Sequence, residues 1–140
     1  SDTVRSEVYF DTVRDLILGG RWEEARRALD DWEVDFPLSK LQGAFPLAEA
    51  RYYKGIRDWN RAAVILRAYR KGVEMTNELP LAMGLELEAL AELNRADAMD
   101  ELVKDIRKRL ATHPVARQAD IYARRVTRGG AAPARRGDEL

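Results

Sequence analysis

Apolar residues recur at helical spacing along almost the whole chain. The first stripe holds Val4, Val8, Val13, Leu16 and Ile17, with Asp2 or Thr3 placed to cap it and Gly19-Gly20 to end it. A second begins near Trp22, turns Ala25, Ala28, Leu29 and Trp32 inward, and stops at Phe36-Pro37. A third runs from about Ser39 to Gly55 through Leu41, Phe45, Ala48, Tyr52 and Ile56, and Pro46 either kinks it or marks its start. Asp58 caps a fourth helix, which carries Ala62, Ile65, Leu66 and Tyr69 to about Asn77 before Leu79-Pro80 breaks the chain. A fifth helix is predicted over about 81–94 and a sixth over about 97–112, ending at His113-Pro114. A last one, roughly 115–128, holds Ala119, Ile121, Tyr122 and Val126. Residues 129–140 are too poor in apolar side chains to bury a core and read as a tail. No segment sustains period-two alternation, so the prediction is an all-α chain of about seven helices without a sheet.

The breaks repeat as well as the stripes. Gly20-Arg21-Trp22-Glu23-Glu24-Ala25 recurs as Arg57-Asp58-Trp59-Asn60-Arg61-Ala62. Trp22 and Trp59 are 37 residues apart, as are Ala25 and Ala62, and Leu29 and Leu66. Another step of 37 reaches Ala96, Met99 and Val103, which are apolar at each matched position. Short helices repeating with a period of this length are the mark of a stacked array, in which each unit buries its apolar face only against its neighbours.

These residues resemble the tetratricopeptide repeat family. That repeat has a glycine, an aromatic two residues on, an alanine three beyond it and a proline twelve after the alanine, and Gly20, Trp22, Ala25 and Pro37 match that spacing. Leu47, Ala50 and Tyr53 fit the large–small–aromatic pattern of the family's first helix. The chemistry of the pattern is plain: the alanine lets two helices approach, the aromatic plugs the turn, and the proline ends the second helix. The Gly-x-Trp-x-x-Ala and Phe-Pro-x-Ser wording of the first unit also resembles a subgroup found in bacterial envelope-assembly lipoproteins and cell-division coordinators. The resemblance implies a right-handed superhelix of antiparallel hairpins: three hairpins plus a capping helix in one domain over 1–128. Two departures alter the expected lengths. Glu74 stands where the second proline would fall, which predicts a longer second helix there. Pro114 comes about three residues late, which predicts one extra turn in the third unit.

In that family the first helix of each pair lines a concave groove that holds a partner protein. Placed on this chain, the groove positions are Glu7, Phe10 and Arg14, then Leu47, Arg51 and Lys54, then Leu81, Gly84, Glu88 and Glu92. Such a groove is basic in the middle and acidic at its flanks, and arginine can grip a partner's carboxylate with two parallel hydrogen bonds. The partner implied is a peptide or helix of another protein. The lysine–asparagine set with which some members hold a peptide's terminal carboxylate is absent.

Charge modifies this picture at one end. Net charge is zero, but residues 1–103 carry 14 basic and 20 acidic side chains. Residues 104–136 carry ten basic side chains against Asp105 and Asp120. That segment either lies against the acidic body, or leaves a solvated outer face on the capping helix, or contacts an anionic partner such as nucleic acid or a membrane surface. Self-association stays open, as does the role of a docking domain in a larger enzyme complex.

The remaining chemistry is sparse. There is no cysteine, so disulfides, zinc–thiolate sites and thiol nucleophiles are excluded. The single histidine, His113, precedes Pro114 at a helix end, where its charged form would meet the negative end of the helix dipole. Ser6 and Ser39 sit in no nucleophile-elbow sequence. Glu86, Glu88 and Glu92 read as a solvated helix face. Trp22 and Trp59, at matched positions, read as core, and Trp32 is less determined. No catalytic residue, cofactor or metal is assigned. The apolar runs are too short for a membrane span of about 20 residues, and the opening residues lack the order of a secretory leader. Cytosol and periplasm both remain open.

Overall fold

The computed structural model describes residues 2–41 and 43–127, with side chains described from Arg5 to Ser39 and from Gly43 to Thr127. Among the described residues seven α-helices follow one another: α1 (Asp2–Leu18), α2 (Trp22–Asp35), α3 (Ala44–Gly55), α4 (Trp59–Gly72), α5 (Leu79–Glu92), α6 (Ala96–Arg109) and α7 (Val115–Ala123). A 3-10 helix, Pro37–Leu41, joins α2 to α3. No strand occurs among the described residues. The expectation of an all-α fold of about seven helices is met.

The 37-residue period governs the backbone more strictly than it governs the side chains. The second helices of the three pairs start at Trp22, Trp59 and Ala96 and end at Asp35, Gly72 and Arg109, each step being 37. The first helices end at Leu18, Gly55 and Glu92, again in steps of 37. Each turn between them is closed alike. Arg21 N–H donates to Leu16 O at 2.9 Å, Asp58 N–H to Tyr53 O at 2.8 Å, and Arg95 N–H to Leu90 O at 3.1 Å. The residue before each donor has positive φ: Gly20 at 71°, Arg57 at 62° and Asn94 at 53°. This is a helix-ending turn that glycine adopts freely and other residues at some cost. Three-residue turns fold each pair back on itself, so α1–α2, α3–α4 and α5–α6 are hairpins.

Strict period overrides the two local departures. α4 stops at Gly72 rather than continuing to Asn77, because Arg109 supplies what a proline does not. Its guanidinium donates to the carbonyls of Arg70 at 3.0 Å and Val73 at 2.7 Å, and also to that of Glu74. The freed carbonyls at the helix end are thereby satisfied without another turn. α6 ends at Arg109 and gains no extra turn; residues 110–114 form a bent linker, with His113 N–H donating to Leu110 O at 3.0 Å. Pro80 lies inside the first turn of α5, so Leu79 begins that helix instead of preceding it. Pro46 is likewise in the first turn of α3, and the residues from Pro37 onward form the separate 3-10 helix. α7 ends at Ala123, short of the expected 128. Asp58 caps α4 as expected, accepting from Arg61 N–H at 3.1 Å. The tail expected at 129–140 lies outside the described residues.

Two clusters make the core. The first gathers Val13, Ala25, Leu29, Trp32, Phe45, Ala48 and Tyr52 between α1, α2 and α3. The second runs from Leu47 and Ala50 through α4, α5 and α6 to Val115, Ala119 and Val126. Ala25, Ala62 and Met99 occupy one repeat position and are fully buried, small in the first two units and large in the third. The tryptophans rank differently from expectation. Trp32 is wholly buried, stacked on Tyr9 and edge-on to Phe45, and its indole N–H donates to Ser6 Oγ at 2.9 Å. Trp22 and Trp59 are only half-buried, packed on the rims of the two clusters.

Candidate functional site

The period aligns the first helices residue by residue. Phe10, Leu47, Gly84 and Ile121 share one position, and Arg14, Arg51, Glu88 and Arg125 share the position one turn later. α7 therefore takes the position of a fourth first helix. Its Val115 and Ala119 are buried where α7 packs on α5 and α6, and Ala119 corresponds to the buried Ala82 of α5.

A groove of about 520 Å³ crosses α3, α5 and α7. Leu47, Arg51 and Lys54 line it from α3, Leu81, Gly84 and Glu88 from α5, and Ile121 and Arg125 from the last helix and its exit. No residue of α2, α4 or α6 reaches it. The bottom is narrow because Gly84 has no side chain: a Cβ there would lie 3.1 Å from Gln118 Oε1. The apolar part is open to solvent, with Leu81 58% and Ile121 48% exposed.

The cations of the groove differ in their state. Lys54 Nζ is bound to Glu88 Oε1 at 2.9 Å. Arg125 stacks on the Tyr122 ring, 4.6 Å from its centroid. Arg51 is half-buried and has no acidic partner among the described residues. Burial lowers its pKa, and the positive charge of Arg14 lowers it further. A guanidinium taken partly out of water without a counter-charge is unfavourable, and a ligand carboxylate would relieve it.

The expected groove residues are thus divided. Leu47, Arg51, Lys54 and Glu88 come together, with Leu81 and Gly84. Arg14 stands beside Arg51 but is exposed and held by Asp11 at 3.2 Å and Asp15 at 3.3 Å. Glu7 and Phe10 line a separate hollow of about 650 Å³ at the other end, with Asp11, Asp35, Phe36 and Glu78. Glu92 is exposed and lines neither hollow. The basic middle is present, but its acidic neighbour Glu88 lies inside the groove rather than at its flank.

Two expectations about charged side chains are corrected. Glu86 is not on a solvated face: it is 1% exposed, and Arg70, equally buried, donates to both its carboxylate oxygens at 2.9 Å. Arg70 also reaches Asp105 at 2.9 Å and Glu101 at 3.3 Å, and Arg67 grips Glu101 at 3.0 and 3.1 Å. Hydrogen bonds from Arg67 and Arg70 hold the Glu101 carboxyl down at about 2. The sequence did carry a signal, since Leu79, Ala82, Glu86 and Ala89 form one stripe with a single acid in it. His113 acts at the start of α7 rather than at the end of α6, its Nδ1 accepting from Val115 N–H at 3.0 Å.

The basic C-terminal segment is partly internal. Arg107 pairs with Asp120 at 2.6 Å, and Arg109 is tied to Asp105 and to α4. Arg117 and Arg124 are exposed and unpaired among the described residues. The basic residues Arg128, Arg135 and Arg136 lie outside the described residues.

No protein-family model matches the chain, and no curated protein or solved structure is significantly similar to it.

Proposed function

We propose that this chain is a tetratricopeptide-like protein-interaction module, without catalysis of its own, that holds an acidic peptide or helix of a partner protein across α3, α5 and α7. The observation that carries this reading is Arg51: half-buried, without an acidic partner among the described residues, and set in a groove that also exposes the aliphatic Leu81 and Ile121. A partner segment bearing a carboxylate beside an aliphatic side chain satisfies both halves at once. The carboxylate takes Arg51 and competes with Glu88 for Lys54, while the aliphatic group covers Leu81 and Ile121. The 37-residue period and the Gly20, Trp22, Ala25 and Pro37 spacing support the family reading.

Peptides selected on the wild type from an acidic, aliphatic-rich library test it. Against these peptides Arg51→Glu and Lys54→Glu are expected to weaken binding by about 30-fold or more, since removing one partner of a desolvated charge pair costs about 2 kcal/mol or above. Selection that yields peptides without acidic residues, or affinity for the two variants equal to that for the wild type, would remove the groove assignment.

A further inference from the structure

The hollow of about 650 Å³ between α1, the end of α2, the 3-10 helix and the start of α3 shares no residue with the groove at Arg51. Its volume is that of a site for a small ligand or a side chain. Its wall is aromatic, with Phe10 from α1 and Phe36 from the end of α2. Four carboxylates line it: Glu7 and Asp11 from α1, Asp35 from α2, and Glu78 from the residue before α5. None of the described lining residues is basic. Arg14 holds Asp11 at 3.2 Å, but Glu7, Asp35 and Glu78 have no ion partner among the described residues. Asp35 accepts the Tyr9 hydroxyl, and this hydrogen bond, with burial and the charges of Asp35 and Asp31, pushes Tyr9 up to about 12.

Two further features belong to the same hollow. Glu78 comes from the third unit and reaches it across Gly43, where a Cβ would lie 2.5 Å from Glu78 Oε1. The place of this carboxylate therefore depends on a residue without a side chain. Ser39, which lines the hollow, is 3% exposed. Its backbone N–H donates to Phe36 O at 2.9 Å, but its hydroxyl has no hydrogen-bond partner among the described residues. A buried hydroxyl normally has a partner, and one at a cavity wall gains it from what fills the cavity.

These groups share one ligand chemistry. Carboxylates and a hydroxyl oxygen accept hydrogen bonds, and aromatic rings present a negative face, so all favour a cation with several N–H donors. A guanidinium suits them best, since its flat fork meets a carboxylate with two bonds and also stacks on a ring. The molecule makes this contact next door: Arg5, which lines a neighbouring hollow with Val8 and Thr12, lies over the Phe36 ring, 5.5 Å from its centroid. We infer that the hollow is a second binding site, which takes an arginine side chain of a partner protein. The guanidinium lies among Glu7, Asp35 and Glu78, and the methylenes lie against Phe10 and Phe36. The site goes beyond the α3–α5–α7 groove and stands without it.

NMR titration of the isotope-labelled chain tests this with four probes: n-butylguanidinium, its uncharged isostere n-butylurea, the peptide N-acetyl-Gly-Arg-Gly-amide, and the free polyamine spermidine. n-Butylguanidinium is expected to shift the backbone amides of Phe10, Phe36, Ser39 and Ala44 saturably, with a Kd of about 1 mM, a range open to so small a ligand. n-Butylurea is expected to bind about 10-fold more weakly or worse, and the peptide at least as tightly as n-butylguanidinium at the same amides. Glu7→Gln with Glu78→Gln should weaken the peptide about 10-fold or more. Glu7→Gln alone, at an exposed residue, should weaken it about 3-fold and keeps the test open if the double variant does not fold by circular dichroism. Absence of saturable shifts at these amides overturns the inference, as does an equal response to n-butylurea. So does a folded Glu7→Gln variant that binds like the wild type. Spermidine entering where the peptide does not would assign the hollow to free polyamines and overturn its assignment to a partner protein.

Discussion

The two inner junctions of the array occupy the same repeat position and are closed by different means. Where α3 meets unit one, the seal is aromatic: Trp32 lies between Tyr9 and Phe45, and Trp22 presses on Tyr52 and on Gly55. Where α5 meets unit two, the seal is ionic, with Arg70 and Glu86 buried together. Glu49 and Glu86 are equivalent residues. Glu49 receives Arg26 at 3.4 Å with side chains 20% and 27% exposed, whereas Glu86 and Arg70 are exposed by 2% and 1%. A repeat position therefore prescribes that a helix must be met there, not the chemistry of the meeting. A large aromatic gains from burial and tolerates a wet rim, while a buried charge depends on every one of its partners.

The sharpest way to break that contrast is to remove one arginine from each junction. Arg70→Ala leaves Glu86 buried and unpaired and is expected to cost about 3–5 kcal/mol of unfolding free energy in denaturant titration. Arg26→Ala, at the more exposed of the two pairs, is expected to cost less than half as much, about 1–2 kcal/mol. Equal losses would mean that exposure does not set the difference. The replacement Arg70→Met with Glu86→Leu should regain most of the loss, because removing both charges leaves none unpaired.

A smaller effect is expected at the aromatic junction. A Cβ on Gly55 would lie 2.4 Å from the Trp22 ring, too close for any real contact. Gly55→Ala must therefore push Trp22 off Tyr52 and is expected to cost about 1–3 kcal/mol, with a change in tryptophan fluorescence. Stability at or above the wild-type value would show that Trp22 is not held against Gly55.

Acid should probe the ionic junction with the smallest effect of the three. Glu101 is held at about 2 against an ordinary 4.5, mainly by the hydrogen bond from Arg67, and Asp105 is also lowered. Both are more acidic folded than unfolded, so their contribution is present above the ordinary carboxylate range and is lost as pH falls toward 2. Glu86 acts in the opposite sense, because burial raises its pKa. Glu101 is 39% exposed, so solvent reduces its share. The unfolding temperature should decline below the ordinary carboxylate range, and Glu101→Gln should flatten that decline; an unchanged acid limb in this variant would rule out the network as its source.

What could be read along the chain was what depends on local order. Helix type, the turn at Gly20 with its recurrence at Arg57, and the small residues at Ala25 and Ala62 follow from spacing. The placing of Leu47, Arg51 and Lys54 in a groove came from the family resemblance, and the three do line one hollow. Helix ends were less legible where a distant side chain supplied the stop, as Arg109 does for α4. Glu7 and Glu92 were assigned to the groove by helix position alone, and which hollow a position faces depends on how successive units are set against each other.

The sequence by itself determined an all-helical array with a 37-residue period, because helical propensity, turn chemistry and apolar spacing act within a few residues of one another. Only the tertiary structure decided that Trp32 is the buried tryptophan, that Glu86 is sealed with Arg70, and that Arg51 has no acidic partner among the described residues. These outcomes turn on which long side chains from different helices reach the same point. Charged residues can pair with any of several neighbours, so their partners are settled by packing and not by spacing along the chain.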